Sequence, residues 1–205
     1  MFLTFTPVGI ELAYRRGIFP MYDHASGQML WFQPDPRTVI PLDGFHVSRS
    51  LAKTLRQARF EVRFDTDFVG VMRGCADRED GTWISEEFIE VYGALHRMGK
   101  AHSVEVMLDG DLVGGTYGVT LGGAFMAESM FHRATDASKV ALAALVERLN
   151  ARGYILLDVQ YLTPHLESLG AIEIPHRLYN DRLRRALRLN CDFSDSSKQT
   201  FGMSP

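Results

Sequence analysis

The stretch Tyr154-Ile155-Leu156-Leu157-Asp158-Val159-Gln160 decides the fold, because its apolar and β-branched run is typical of a buried strand, yet it ends in polar residues. Side chains alternate along a strand, so the pattern predicts Asp158 and Gln160 on one face and Val159 on the other. Ligands of open α/β sheets bind at the carboxyl ends of central strands, which makes this end a candidate site. The spacing leaves a structural alternative open, in which Asp158 caps a helix beginning near Thr163.

Length and composition restrict the class of the chain. Its 205 residues and formal net charge of −3 predict one domain, with or without a small appendage, and argue against a general nucleic-acid-binding cation. The two cysteines, Cys75 and Cys191, lack metal-ligand spacing, so the sequence predicts neither a metal site nor a disulfide scaffold. No segment resembles a signal peptide or a membrane span, and we expect a cytoplasmic protein.

The order of predicted elements indicates a mixed α/β domain. Helices precede a three-stranded antiparallel meander, which a long helix, a strand, a short helix and a further strand follow, and Asp109-Gly110 forms a hairpin turn in the meander. This order matches the acyltransferase fold of the GNAT class, whose central strands splay apart around the acyl donor. We expect a GNAT-like catalytic domain at residues 37–190, a shortened N-terminal subdomain at residues 1–36, with residues 17–22 as a packed loop, and a loose polar tail at residues 191–205.

A basic stripe lies on a predicted helix whose N-cap is Ser48 or Ser50. Arg49, Lys53 and Arg56 recur at three- and four-residue steps and therefore share one helix face. A basic face on an acidic chain indicates a polyanionic ligand, with phosphates as the first candidate. The alternative, which the pattern alone favours, is a solvated surface helix.

A carboxylate inside an apolar strand is a second candidate for function. Glu128 lies between Phe125-Met126-Ala127 and Met130-Phe131. Burying it there destabilises the fold unless the carboxylate is paired or used.

The segment before the long helix argues against coenzyme A as the acyl donor. Acetyl-CoA enzymes of the GNAT class bind pyrophosphate there through a glycine-rich loop. This chain has Arg133-Ala134-Thr135-Asp136-Ala137-Ser138-Lys139, without glycine, and Asp136 is the predicted N-cap. A CoA-dependent N-acetyltransferase is therefore an alternative that predicts CoA binding, whereas we expect none.

From Tyr14 to Leu187 the chain resembles the bacterial leucyl/phenylalanyl-tRNA–protein transferases. The resemblance depends on many short strings in order and at family-like spacing, and any one alone would be weak. They include Arg16-Gly17-Ile18-Phe19-Pro20, Pro34-Asp35-Pro36-Arg37, Ser48-Arg49-Ser50, Gly81-Thr82-Trp83-Ile84, His102-Ser103-Val104-Glu105-Val106, Glu128-Ser129-Met130-Phe131, Leu157-Asp158-Val159-Gln160 and Ser168-Leu169-Gly170-Ala171.

The resemblance implies an aminoacyltransferase that moves Leu, Phe or Met from aminoacyl-tRNA to the N-terminal Arg or Lys of a protein and so marks it for degradation. Aminoacyl-tRNA is the co-substrate, and neither a cofactor nor a metal is implied. Asp158 and Gln160 match the catalytic pair, and Glu128 matches a carboxylate of the acceptor pocket. The remaining implied roles fall on aromatics near the donor's terminal adenosine (Trp83, Tyr92), on the aminoacyl side-chain pocket (Thr116, Phe125, Ala127, Leu142, Leu145, Leu149, Leu157) and on tRNA phosphate contacts (Arg49, Lys53, Arg56).

The chemistry fits these roles. A protein α-amine has a pKa near ~8 and the donor is an activated ester, so alignment supplies much of the acceleration. We assign Gln160 to orientation of the amine or the ester carbonyl. Asp158 would fix Gln160 and stabilise the developing ammonium, and Glu128 would attract the acceptor's cationic side chain or its amine.

Departures from the family pattern define the alternatives. The N-terminus is short, and Met21 stands where tryptophan is usual. Thr116 replaces a methionine-type residue, and Leu145 and Leu149 stand where phenylalanines are frequent. A roomier and slightly more polar pocket would suit another aminoacyl-tRNA, and acidic N-termini are an alternative acceptor. A non-catalytic tRNA-binding module is a third interpretation, against which the retained polar site residues argue.

Overall fold

The elements of the computed structural model, which describes residues 3–23, 26–78 and 81–194, follow the predicted order. The helices are α1 (Pro7–Tyr14), α2 (Arg49–Gln57), α3 (Phe68–Ala76), α4 (Glu86–Arg97), α5 (Ala137–Ala151), α6 (Pro164–Glu167) and α7 (His176–Ala186). The strands are β1 (Phe19–Asp23), β2 (Gln28–Phe32), β3 (Arg37–Ile40), β4 (Glu61–Phe64), β5 (Ala101–Leu108), β6 (Asp111–Leu121), β7 (Ala124–His132), β8 (Leu156–Gln160) and β9 (Ile172–Ile174).

A seven-stranded mixed sheet organises the chain, in the order β4-β5-β6-β7-β8-β3-β9. Neighbouring strands are antiparallel except β7 and β8, which are parallel. Their pairing ends at Met126 and Asp158, although β7 runs on to His132. Beyond that pair the two strands part, so the mixed α/β class and the splay of its central strands are confirmed.

The two faces of the sheet carry separate hydrophobic cores. Helices α1, α3, α4 and α7 contribute to the first core, and α2, α5 and α6 to the second core. Strand β7 serves both, because Ala124 and Met126 belong to the first core, whereas Phe125 and Ala127 belong to the second. This alternation is what the period of two predicts for a strand covered on both faces.

A bulge in β7 aims Glu128. Tyr117 of β6 pairs with Ser129, and the next residue, Gly118, pairs with Ala127, so Glu128 is the additional residue. Bulges bend a strand and redirect a side chain, and they are frequent beside functional sites. The alternation of the flanking residues therefore does not decide where the Glu128 carboxylate points.

Several local predictions are wrong for identifiable reasons. Residues 19–23 form β1, paired with β2, rather than a loop, because the hairpin packs its aromatic residues on the first core. Asp136 occupies the predicted N-cap position of α5, but its side chain makes no capping hydrogen bond, because its φ is +68° and its carboxylate accepts from Thr54 and Lys139 instead. Thr163, not Asp158, caps α6, and its Oγ1 accepts from the Leu166 N–H at 3.2 Å.

The described start of the C-terminal tail is also not loose. Phe193 is 1% exposed and belongs to the second core. Phe193 is a single apolar residue in a polar segment, so no hydrophobic periodicity predicts that it is buried. Residues 195–205 of the predicted tail lie outside the described residues.

Candidate active site

The gap between β7 and β8 opens into a cavity of about 350 Å³. Polar groups face it from both strands, namely Glu128 and Ser129 from β7 and Gln160 from β8. The remaining lining residues are Phe19, Pro20, Met21, Arg78, Trp83, Met130, Val159, Tyr161, Thr163, His165 and Leu166. The cavity thus lies at the carboxyl end of a central strand, where the sequence predicted a site.

Asp158 is buried behind this cavity in a saturated set of hydrogen bonds. Arg37 Nε donates to Oδ1 at 2.9 Å and Arg37 Nη2 donates to Oδ2 at 2.6 Å. Tyr179 Oη donates to Oδ2 at 2.8 Å, and the Gln160 backbone N–H donates to Oδ1 at 3.0 Å. Asp158 is 0% exposed, so it has no direct access to an incoming ammonium group.

Arg37 is held as firmly as its partner. It is 1% exposed, its Nη1 donates to the Gly17 carbonyl at 3.1 Å, and its Cζ lies 4.7 Å and 4.8 Å from the ring centroids of Phe19 and Tyr179. Although burial disfavours its charge, Asp158 keeps the pKa of Arg37 above its ordinary value. A buried pair of this kind is stabilising only with good geometry and further hydrogen bonds, and both are present.

Gln160 turns towards the cavity because the end of β8 is irregular. Thr38 pairs with Gln160 and Val39 with Asp158, so Val159 is an additional residue, and Gln160 has a φ of +61°. The predicted alternation is therefore wrong here, since Val159 and Gln160 both line the cavity and Asp158 does not. The bond from the Gln160 N–H to Asp158 stabilises this uncommon conformation.

Glu128 lies across the gap among phenolic groups. Tyr14 Oη donates to Oε1 at 2.5 Å, and Tyr92 Oη lies 3.4 Å from Oε2 and 2.8 Å from Tyr14 Oη. Gln160 Nε2 donates to Glu128 Oε1 at 3.5 Å, which joins the two strands across the gap. Glu128 and Gln160, which the sequence predicted as site residues, are thus brought together.

Burial sets the protonation of Glu128. Desolvation raises the pKa of this carboxyl to about 8, and nearby Asp158 adds to the rise, while the bond from Tyr14 opposes it. Burial, with the negative charge of Glu128, also raises the pKa of Tyr14 and Tyr92 well above the usual tyrosine value. At neutral pH the phenols are therefore donors, and Glu128 is poised to exchange a proton.

The aromatic candidates separate in the structure. Trp83 lines the cavity and packs edge-on against Phe88, with ring centroids 5.1 Å apart. Tyr92 is 0% exposed and reaches the site through its hydroxyl, which bonds to Tyr14. Met21 also lines the cavity, and both Met21 and Trp83 pack against the first core.

The residues proposed for a side-chain pocket lie behind the gap. Their buried members in the second core are Phe125, Ala127, Leu142, Leu145, Leu149 and Leu157, and none of them lines the cavity. Thr116 is 1% exposed, and its hydroxyl donates to the Ser129 carbonyl at 2.9 Å. That hydroxyl is therefore engaged within the protein, which removes the slightly more polar pocket expected from it.

The predicted basic residues lie on another part of the surface. Arg49, Lys53 and Arg56 are exposed on α2, which packs on α5 through its opposite face, where Leu51 is buried. Ser48 caps this helix as predicted, with its Oγ accepting from the Leu51 N–H at 3.2 Å. The structure does not bring these three cations to the cavity.

Sequence reasoning missed three residues that hold the site, namely Arg37, Tyr14 and Tyr179. Periodicity cannot show that β3 pairs with β8, because 121 residues separate Arg37 from Asp158. One physical signal was present, since a buried carboxylate requires a cation or several donors. Arg37, which ends the string Pro34-Asp35-Pro36-Arg37, was one cation that could meet this requirement.

The arrangement is suited to alignment of two substrates and to proton exchange. Within residues 3–23, 26–78 and 81–194, no three or more His, Cys, Asp or Glu side chains are grouped so as to hold a metal ion. In the same ranges, no helix has both the length and the apolar character needed to cross a membrane.

Known proteins match this chain over most of its length. Residues 39–184 match the family model "Leucyl/phenylalanyl-tRNA protein transferase", and residues 4–35 match the model of its N-terminal domain. A leucyl/phenylalanyl-tRNA–protein transferase of Herpetosiphon aurantiacus is 55% identical over 92% of this chain and 97% of its own length. One of Gloeobacter violaceus is 52% identical over 94% of this chain and 100% of its own.

Solved structures are more distant. L-PGS from Bacillus licheniformis superimposes with a TM-score of 0.40 at 13% identity, covering 77% of this chain and 54% of that chain. A GCN5-related N-acetyltransferase-like protein from Streptococcus suis gives a TM-score of 0.39 at 16% identity, covering 80% and 62%.

Proposed function

The chain belongs to the leucyl/phenylalanyl-tRNA–protein transferase family and is an aminoacyltransferase, and from this premise we propose that it moves Leu, Phe or Met to the N-terminal Arg or Lys of acceptor proteins. Such a transfer would mark the acceptor for degradation, in the cytoplasm. The observation that carries the proposal is the gap between β7 and β8, where Glu128 and Gln160 meet at 3.5 Å.

Gln160 aligns the reactants in this proposal. Its amide is a poor base but offers two donors and an acceptor, which suit the ester carbonyl and the attacking amine. Asp158 fixes the backbone of Gln160, and Arg37 fixes Asp158, so both act as positioning residues rather than through contact with substrate. Holding amine and ester in line supplies much of the acceleration for an already activated ester.

Glu128 takes the proton of the attacking amine as the amide bond forms. The ester C–O bond then breaks, and the terminal ribose oxygen of the tRNA leaves as a hydroxyl that takes up this proton. The Glu128 pKa of about 8 matches that of a protein α-amine, near ~8, so the proton passes between them with little change in free energy. Once charged, the carboxylate also attracts the cationic side chain of an N-terminal Arg or Lys.

The donor occupies the other end of the cavity. Trp83 offers a stacking face for the terminal adenosine, and Tyr92 supports Glu128 from behind. The side chain of the donor amino acid enters the second core beneath the gap. The buried residues of that core must therefore move apart to admit it. These pocket residues are Thr116, Phe125, Ala127, Leu142, Leu145, Leu149 and Leu157.

A matrix of donors and acceptors tests the proposal. The purified protein is incubated with labelled Leu-, Phe-, Met- or Arg-tRNA and with peptides that begin with Arg, Lys, Asp or Glu. Transfer of Leu or Phe to Arg- or Lys-peptides is the expected result. Transfer confined to acidic termini or to Arg-tRNA would contradict the proposed specificity, and binding of tRNA without any transfer would favour the binding module.

The basic face of α2 is proposed to contact tRNA phosphates. Changing Arg49, Lys53 and Arg56 together to Ala should weaken tRNA binding and reduce the slope of log K against log salt by about 2–3 units, since each lost phosphate contact contributes about 0.7–0.9. Fluorescence anisotropy from about 50 to 300 mM salt is the measurement, a range on both sides of the physiological ionic strength of about 150 mM.

A matched variant controls for net charge. Arg177, Arg185 and Arg188 are exposed cations in and just after α7, which belongs to the first core, on the other face of the sheet. Changing these three to Ala removes the same charge and should leave the slope within about one unit of wild type. If the two triple variants have equal slopes, α2 is an ordinary solvated helix and does not contact tRNA phosphates.

A further inference from the structure

The chain after α7 forms a strap, residues 187–194, that crosses from one face of the sheet to the other. Helix α7 belongs to the first core, whereas Phe193 belongs to the second. The strap crosses at the turn between β6 and β7, where a Cβ on Gly123 would lie 2.7 Å from Leu189 Cδ1. Cys191 Sγ then donates to the Gly153 carbonyl at 3.3 Å. The glycine in the turn is what leaves room for the strap.

Phe193 anchors the strap in the second core. Its ring stacks on His102, with centroids 4.4 Å apart, and its carbonyl accepts from Arg148 Nε at 2.9 Å. Arg148 Cζ also lies 4.9 Å from the Phe193 centroid and 4.1 Å from that of Phe64. The ring is therefore held from several sides at a defined position.

Phe193 also contacts Phe125, a residue of the proposed side-chain pocket. The two ring centroids are 5.5 Å apart and the rings are tilted by 34°. On its other side Phe125 lies against Gly118, since a Cβ built there would come 2.4 Å from Phe125 Cε1. Phe125 is thus in contact with both a glycine and the strap, and of these two neighbours only Phe193 has a side chain that a substitution can shorten.

We propose that Phe193 determines donor specificity by setting the depth of the aminoacyl side-chain pocket through Phe125. This inference rests on the proposed function, because it concerns the same pocket. Leu145 and Leu149 lie in the second core together with both rings. Because positions 145 and 149 of α5 are leucines rather than aromatic residues, Phe193 of the strap supplies the aromatic ring that closes the inner end of the pocket. Removing the Phe193 ring lets Phe125 move back, so a larger donor side chain fits.

Two substitutions of Phe193 test the proposal. Phe193→Ala and the milder Phe193→Leu are assayed for kcat/KM with Phe-tRNA and with Leu-tRNA on one Arg-peptide, at a temperature where circular dichroism shows each variant folded. The ratio of Phe to Leu should rise by about tenfold in Phe193→Ala, because one methylene in an apolar pocket changes discrimination by about 10–200-fold. Phe193→Leu should move the ratio in the same direction by a smaller factor.

A neighbouring position separates specificity from simple loss of the strap. Leu189→Ala removes a side chain of the strap that is 39% exposed and lies on Gly123, and it should leave the donor ratio unchanged. Lower activity of the folded Phe193 variants with both donors equally would overturn the inference while leaving the transferase function intact. A wild-type protein that transfers neither residue would overturn the proposed function and the inference with it.

Discussion

Replacing Arg37 with Met is expected to abolish transfer and to lower the free energy of unfolding by about 3–5 kcal/mol. The substitution leaves Asp158 charged at 0% exposure, with its two guanidinium bonds of 2.9 Å and 2.6 Å lost. Asp158 then becomes protonated or binds water. The hydrogen bond that it accepts from the Gln160 N–H changes as a result. Urea unfolding and the transfer assay measure the two effects on one preparation.

A double substitution separates stability from alignment. In Arg37→Met with Asp158→Leu both charges are gone, and the free energy of unfolding should recover most of its loss, because apolar replacement of a buried pair is often neutral. Transfer should not recover, since the Gln160 N–H has lost the carboxylate that accepts it at 3.0 Å. Recovery of transfer in the double variant would show that Asp158 serves only to neutralise Arg37.

An exposed ion pair provides the matched control. Arg63 pairs with Glu61 at 2.8 Å on the surface, with side-chain exposures of 42% and 62%. Arg63→Met should leave the free energy of unfolding close to that of the wild type, because solvent screens an exposed pair. The substitution should leave transfer unchanged, because β4 is an edge strand, and β5 and β6 lie between it and β7.

Replacing Glu128 with Gln is expected to lower the rate of transfer by about 10²–10⁴-fold, the usual contribution of a positioned acid or base. The wild-type rate should rise with pH through about 8 as Glu128 ionises, and the variant should lose the part of the rise that comes from Glu128. The α-amine of the acceptor titrates in the same range in both proteins, so the difference between the two profiles reports Glu128.

The same substitution should change the pH dependence of stability. The pKa of Glu128 is raised in the fold from 4.5 to about 8, so its favourable contribution is complete below about pH 4.5 and is lost as pH rises through about 8. The Gln variant has no such loss. The free energy of unfolding of the variant relative to wild type should therefore increase from pH 5 to pH 8, by about 1.4 kcal/mol for each unit of pKa shift. Its Tm relative to wild type should rise over the same range.

Glu105 supplies a control for the burial of a carboxylate alone. It is 0% exposed, burial raises its pKa, and Ser103 and Thr66 donate to it at 2.5 Å and 3.0 Å. Glu105→Gln should alter the pH dependence of Tm without changing the pH profile of transfer. A Glu128→Gln variant that behaved like Glu105→Gln in both measurements would assign Glu128 to structure alone.

The sequence predicted helices, strands and turns better than it predicted how the strands pair and where they bulge. Helices α2, α4 and α5 and the Asp109-Gly110 turn follow from local signals, and the turn residues have φ values of +53° and +90°. The bulges at Glu128 and Val159 do not follow from such signals. Each depends on how a neighbouring strand, distant in the chain, registers against β7 or β8.

The candidate site divides in the same way. Glu128 and Gln160 are polar residues out of place in apolar strands, and that local anomaly was enough to select them. Arg37 could be paired with Asp158 only by knowing that β3 lies between β8 and β9. The burial of Phe193 was not predicted, because a single aromatic residue in a polar segment forms no repeating hydrophobic pattern.

The position of β3 between β8 and β9 also has a consequence for synthesis of the chain. Arg37 leaves the ribosome 121 residues before Asp158. At translation rates of about 5–20 residues per second, this strand waits roughly 6–24 s for its counter-charge. During that interval β3 has neither of its partners in the sheet, because β8 and β9 are both synthesised after it.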